Sequence, residues 1–298
     1  MGAVLRPGAL FACLLAACAQ PAAPPPAAAT FAYDTSRGLD LREASVESEG
    51  SIAVRDLSFA AYDPRHGRIK AWLVEPGGAG PFAAVLYFHW LGETDGNRDQ
   101  FLPEARALAE QGVVSLLIQG YFPWSEPPVS GPADRRQIED QTIDLRRSLD
   151  LLLARPGVDA SRVAFVGHDY GAMFGALAAG SESRVKAYVL IAAIGSFSDW
   201  SLAYWPETAV AGEDAYRVAV RDVEPIDHIS RAAPAALFFQ FAETDAYISD
   251  DAARHFYQSA SNPKRIRWYP ADHHMDSEQA RADRREWLSQ QLGLPGDS

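Results

Sequence analysis

The stretch that most limits what this chain can fold into is Val163-Ala164-Phe165-Val166-Gly167-His168-Asp169-Tyr170-Gly171, followed by the small residues Gly175, Ala176, Ala178 and Ala179. An unbroken apolar run of this length reads as a strand buried on both faces, and the small residues after it as a closely packed helix. Where a strand turns at once into a helix, backbone meets backbone, and side chains beside the turn would collide with it. Gly167 and Gly171 stand at those two positions. Asp169 is therefore held at the carboxyl end of a central strand, where open α/β sheets carry their sites. The competing reading of Asp169 is a turn residue that merely tolerates strained backbone.

The rest of the sequence repeats the alternation. Ile52 to Phe59 and Arg68 to Glu75 carry β-branched and aromatic residues between turn formers, and are expected to open the sheet as an antiparallel pair. Ala83 to His89, a helical stretch around Phe101 to Gln111, and Val113 to Ile118 follow. Asp134 with Gln137 predicts a capping-box start for a long helix with Ile138, Leu145, Leu149 and Leu152 on one face. Arg162 to Val166, Val185 to Ala192, Ala235 to Phe241 and Arg265 to Tyr269 complete a mostly parallel sheet, the expected consequence of strands alternating with helices.

Twenty-seven basic residues against 39 acidic ones leave a formal charge of −12, which would repel nucleic acid and anionic membranes. Met1 to Ala17 carries one early cation, Arg6, and then a short apolar run ending in Leu15-Ala16-Ala17-Cys18. This resembles a bacterial lipoprotein signal cleaved before Cys18, which would then carry the lipid; the alternative is an ordinary export signal with Cys18 incidental. Residues 18–45, Ala/Pro-rich at their start, read as a tether and residues 46–298 as the folded domain. Ala19 and Gln20 favour the periplasmic face of the outer membrane. With Cys13 lost and Cys18 acylated, no disulfide would support the mature domain.

Strand order, helix order and the Gly-x-Asp169-x-Gly elbow together resemble the α/β-hydrolase superfamily, with a compact layout similar to its dienelactone hydrolase branch. Most members carry serine or cysteine at the elbow. An aspartate there is similar to epoxide hydrolases and haloalkane dehalogenases, and implies a carboxylate that attacks carbon directly, because it is already ionised at neutral pH. The resemblance implies a histidine after the last strand, where His273 is chosen over its neighbour His274, and an acid after the preceding strand, where Asp245 is chosen over Glu243. It implies an oxyanion site made by the backbone N–H of Tyr170 and a second one from the turn His89-Trp90-Leu91-Gly92, for which Trp90 is the candidate. His89 reads as a buried structural histidine.

Between the strands ending near Ala193 and starting at Ala235 lie about forty residues, a modified loop rather than a full lid. His168, Trp124, Trp200, Tyr204 and Trp205 are candidate pocket residues, and Tyr204 or Tyr216 could protonate an epoxide oxygen. No dinucleotide fingerprint or phosphate loop occurs and Asp272-His273-His274 lacks an accompanying metal motif, so neither cofactor nor metal is expected. The leading expectation is covalent hydrolysis of a small apolar epoxide or organohalide through Asp169. Its alternatives are ester or lactone hydrolysis, including a variant with water activated by His273, and a catalytically silent small-molecule binder.

Overall fold

The computed structural model describes residues 1–2, 30–92 and 96–295. Nine strands form one sheet: β1 (Arg42–Glu49), β2 (Ile52–Ala60), β3 (Arg68–Glu75), β4 (Phe82–Phe88), β5 (Val113–Ile118), β6 (Val158–His168), β7 (Ala187–Ile191), β8 (Ala236–Ala242) and β9 (Lys264–Tyr269). Their order is β1-β2-β3-β5-β4-β6-β7-β8-β9. The first three strands run antiparallel, β3 pairs antiparallel with β5, and the sheet is parallel from β5 to β9. The apolar runs are strands because helices cover both faces: Val85, Leu86, Phe165, Val166 and Val189 are all fully buried. Each such side chain contributes about 1.5–3 kcal/mol relative to exposure.

The helices are α1 (Leu102–Ala109), α2 (Gly131–Leu153), α3 (Tyr170–Ala179), α4 (Phe197–Tyr204), α5 (Glu213–Val220), α6 (Pro225–Ile229), α7 (Asp250–Ser259) and α8 (Glu278–Leu292). Ile138, Leu145, Leu149 and Leu152 of α2 are buried on one face, as their spacing requires. The capping box is not formed: α2 starts at Gly131, and Asp134, one turn in, accepts from the N–H groups of Val129 and Ser130. Its other oxygen accepts the Tyr216 hydroxyl at 2.7 Å, which ties α5 to α2.

The folded body starts before position 46. Phe31 is buried and its ring lies 5.3 Å from that of His228, Tyr33 donates to Asp150, and β1 pairs along β2. All eight residues of β1 are exposed, so no apolar alternation betrays it. Cys13, Cys18 and the proposed signal lie outside the described residues. Among the described residues no helix is long and apolar enough to cross a membrane.

The forty-residue insertion folds as three short helices, α4, α5 and α6, rather than as a loop. The Glu224 carboxylate accepts from the first N–H groups of α4, Phe197 and Ser198, at 2.6 and 3.1 Å. Burial pushes that carboxyl up to about 7, even though these hydrogen bonds pull it down.

Candidate active site

Four strands end at one edge and deliver the site residues from their following turns: β4 gives way to His89-Trp90-Leu91, β6 to Asp169, β8 to Asp245 and β9 to His273. Asp169 sits between strand and helix with φ 54° and ψ −120°. Its N–H completes the pairing with Ile191 and its carbonyl accepts from Met173 to start α3. A side chain in that conformation costs roughly 1–3 kcal/mol, supplied here by the packing around it. The glycines allow it. A Cβ on Gly167 would lie 2.6 Å from the Gly171 carbonyl oxygen, and one on Gly171 2.6 Å from that of His89.

His273 Nδ1 bonds Asp245 Oδ2 at 2.8 Å, while Asp245 Oδ1 accepts the N–H groups of Tyr247 and Ile248. Both oxygens of Asp245 are thus committed, and the imidazole is turned so that Nε2 faces Asp169 Oδ1 across 3.8 Å, an ion-pair distance. The structure brings together the three residues read from the sequence as a catalytic set. Burial works against a proton on His273, but the two carboxylates outweigh it and hold its pKa up at about 9. The imidazole is therefore held as an imidazolium at neutral pH. Glu243 is exposed and stands apart from it.

The anion-binding turn differs from expectation by one residue. The Trp90 N–H is taken by Gln100 Oε1 at 2.9 Å, and it is the Leu91 N–H that reaches Asp169 Oδ2, at 3.0 Å. The reason lies in the intervening peptide: the Trp90 carbonyl accepts from His89 Nδ1 and from the Trp124 indole, each at 2.9 Å. Two donors on the carbonyl turn the opposite end of that peptide, the Leu91 N–H, toward Asp169. His89 Nε2 accepts the Gly120 N–H, and burial lowers its pKa to about 3, so it is a neutral structural residue. As first residue of α3, Tyr170 has an N–H with no partner within the helix, and the positive end of that helix faces the carboxylate.

A cavity of about 520 Å³ opens over Asp169. Trp90, Leu91 and Gly92 form one wall and Trp200, Tyr204 and Trp205 another, with Tyr247, His273 and His274 closing it. Three of the five candidate pocket residues therefore line it. Trp124 does not: its ring packs on Phe88 and His89 behind the turn. Nor does His168, which is 1% exposed, lies beneath Trp90 and is bonded to Gln100 and the His273 carbonyl. Tyr216 is buried on Asp134, away from the cavity. Sequence reasoning missed Leu91, Gly92 and Tyr247 as lining and passed over His274; Tyr247, two residues past Asp245, had a positional signal. Among the described residues no group of three or more His, Cys, Asp or Glu side chains is arranged to hold a metal ion.

The sequence matches the alpha/beta hydrolase fold family over residues 76–265, more than half of the chain. No curated protein matches it. The structure is similar to that of acetyl xylan esterase from Paenibacillus sp. R4, at 19% identity and TM-score 0.72, over 89% of this chain and 92% of that one. It is also similar to acetyl xylan esterase 1 from Thermoanaerobacterium sp. JW/SL YS485, at 14% identity and TM-score 0.66, over 88% and 90%. An S-formylglutathione hydrolase from Agrobacterium tumefaciens matches at 18% identity and TM-score 0.62, over 84% and 99%. At such identities the likeness speaks for the fold alone. By its fold, its elbow and its family match, the chain belongs to the alpha/beta hydrolase fold family and is a hydrolase of that fold.

Proposed function

We propose that this hydrolase uses the Asp169 carboxylate as a covalent nucleophile on a small apolar substrate with an electrophilic alkyl carbon, of epoxide or organohalide type. One observation carries the reading: Asp169 Oδ2 rests on the Leu91 N–H, while Oδ1 has no hydrogen-bond partner and faces His273. A carboxylate held by one oxygen in an anion-binding turn presents the other for attack.

In the first step Oδ1 bonds to the substrate carbon as the carbon–halogen or carbon–oxygen bond breaks, and Asp169 becomes a neutral ester. Halide leaves with its electron pair; an epoxide oxygen takes a proton from Tyr204 or Tyr247, the phenols lining the cavity. Loss of the Asp169 charge removes one of the two supports of the imidazolium, so His273 surrenders its proton more readily and turns into a base. In the second step water attacks the ester carbonyl as its proton passes to His273 Nε2. The negative charge that develops on Oδ2 is met by the N–H groups of Leu91 and Tyr170. Collapse of that adduct expels the product alkoxide, which takes the proton from His273 and leaves as the alcohol. The Asp169 carboxylic acid then passes its proton to His273, which restores carboxylate and imidazolium. The proton that His273 gave up after the first step leaves with the halide or restores the phenol.

A second reading, hydrolysis of a carboxylic ester or lactone, draws support from the solved structures, two of which are named acetyl xylan esterases. The comparisons lean that way and the carboxylate leans the other. An ester carbonyl oxygen would need the Leu91 N–H that Asp169 Oδ2 already holds, and for this reason we favour attack on alkyl carbon. We propose as well that Cys18 carries a lipid and that the domain works at the cell envelope.

The test is the intact mass of the His273→Ala protein after incubation with separate pools of epoxides, organohalides, activated esters and lactones. An alkyl adduct mapped to Asp169 supports the leading reading, and an acyl adduct or ester turnover without one supports the second. Wild-type protein inactive on every pool, with no adduct, counts against both.

A further inference from the structure

Gln100 and His168 take no part in the reaction above, yet they join its two halves. Gln100 Oε1 accepts the Trp90 N–H, so its Nε2 is the atom that faces His168 Nδ1, at 2.6 Å. An amide nitrogen only donates, which leaves Nδ1 as the bare acceptor of the ring. The ring proton is then on Nε2, which donates to the His273 carbonyl at 2.9 Å. Any other assignment sets two donors or two acceptors face to face. The hydrogen bonds therefore run one way, from the turn after β4 through Gln100 and His168 to the backbone of the residue that carries the base.

The surroundings agree. His168 is 1% exposed, and the Trp90 ring stacks on it at 5.3 Å with an interplanar angle of 7°. The charged groups that act on it are His273, Arg284 and His274, all cations when protonated. With burial foremost, they hold its pKa well below the ordinary histidine range, and it stays neutral.

We propose that Gln100 and His168 are positioning residues which, through this one-way relay, hold the anion-binding turn at Trp90 and Leu91 in register with the main chain at His273. The relay rests on the proposed reaction only for what that register serves; its own direction is tested without substrate.

The experiment is ¹⁵N NMR of the imidazoles across pH in wild type, Gln100→Glu and His168→Phe. In wild type His168 should stay neutral and protonated on Nε2 wherever the protein is folded; protonation on Nδ1 overturns the proposal. In Gln100→Glu one carboxylate oxygen keeps the Trp90 N–H and the other turns to Nδ1, so His168 should become doubly protonated at neutral pH. A His168 that stays neutral there overturns the coupling. His168→Phe keeps the stacked ring and drops both bonds, and the His273 titration should fall by roughly half a pH unit or more as its tie to Asp245 loosens. A merely structural His168 would leave that titration unmoved, which also overturns the proposal. Should His168→Phe fail to fold, the near-isosteric Gln100→Glu decides. Where turnover is found, both variants should lower kcat by about ten- to a hundredfold with KM nearly unchanged. A relay intact by NMR in a wild type that turns over none of the pools, with no Asp169 adduct on His273→Ala, would sink the reaction reading separately.

Discussion

The backbone N–H of Leu91 lies 3.0 Å from Oδ2 of Asp169, so the carboxylate at the elbow occupies the anion-binding turn with one of its own oxygens. In a serine enzyme of this fold that turn waits for the substrate; here it grips Asp169, and in the proposed reaction it would hold the charge of the second step on the same atom.

The first expectation follows from that grip. Asp169→Asn keeps an oxygen for Leu91 but presents an amide nitrogen for attack, and should lose turnover by at least about a thousandfold while remaining folded. Asp169→Ser frees the turn and puts a hydroxyl beside the paired His273 and Asp245. It should hydrolyse an activated ester such as p-nitrophenyl acetate about tenfold or more faster than wild type. Steady-state assays of both variants, with circular dichroism to verify folding, check this; equal ester rates in wild type and Asp169→Ser would contradict it.

Stability should depend on pH through His273. Its pKa in the fold, about 9, lies above the ordinary 6.5, so the folded state binds this proton more tightly than the unfolded chain does. The resulting stabilisation is complete below the ordinary value and is lost as pH rises through the folded one. Between pH 6.5 and 9, Tm of the wild type should therefore fall more steeply than Tm of His273→Gln. Parallel curves for the two proteins would remove this role.

Gly171→Ala should destabilise the fold by about 1–3 kcal/mol in chemical denaturation, because the added methyl would sit 2.6 Å from the His89 carbonyl oxygen. The same methyl pushes on the turn that carries Leu91, so activity should fall further than stability alone accounts for.

Tyr216→Phe removes the hydroxyl that Asp134 accepts at 2.7 Å and leaves a buried carboxylate with one donor fewer. Burial already holds Asp134 above the ordinary carboxylate range, even with that donor in place. The cost should be about 1–3 kcal/mol by urea denaturation. An unchanged midpoint would show that the tie contributes nothing.

The central strands and the elbow were legible because each rests on a local pattern, an apolar run and a glycine at a crowded junction. The joining of Asp169 with Asp245 and His273 was legible only through the resemblance to the α/β-hydrolase superfamily, which implies an acid and a histidine just past the last two strands. Leu91 was not legible. Which of two successive N–H groups faces a site depends on the tilt of one peptide, and that tilt is set by His89 together with Trp124, 34 residues beyond Trp90. His168 was expected in the pocket, whereas the sharp turn sends it and Asp169 to different partners, Gln100 and Leu91. β1 left no trace, since an edge strand exposed along its whole length needs no apolar face. The helical cover escaped because its anchors, Asp134 to Tyr216 and Glu224 to α4, are one to two polar contacts each across long stretches of chain.

Those anchors make the cover a fixed roof. With α5 fastened to α2 and the start of α4 fastened by Glu224, a visitor to Asp169 cannot count on a hinge. The half-exposed rings of Tyr204 and Tyr247 line the cavity side by side, their centroids 5.9 Å apart. Rotation of two phenol rings widens a doorway by little more than their own breadth. The enzyme would then sort its substrates by girth before any chemistry begins, admitting slender molecules and turning away branched ones however reactive they are.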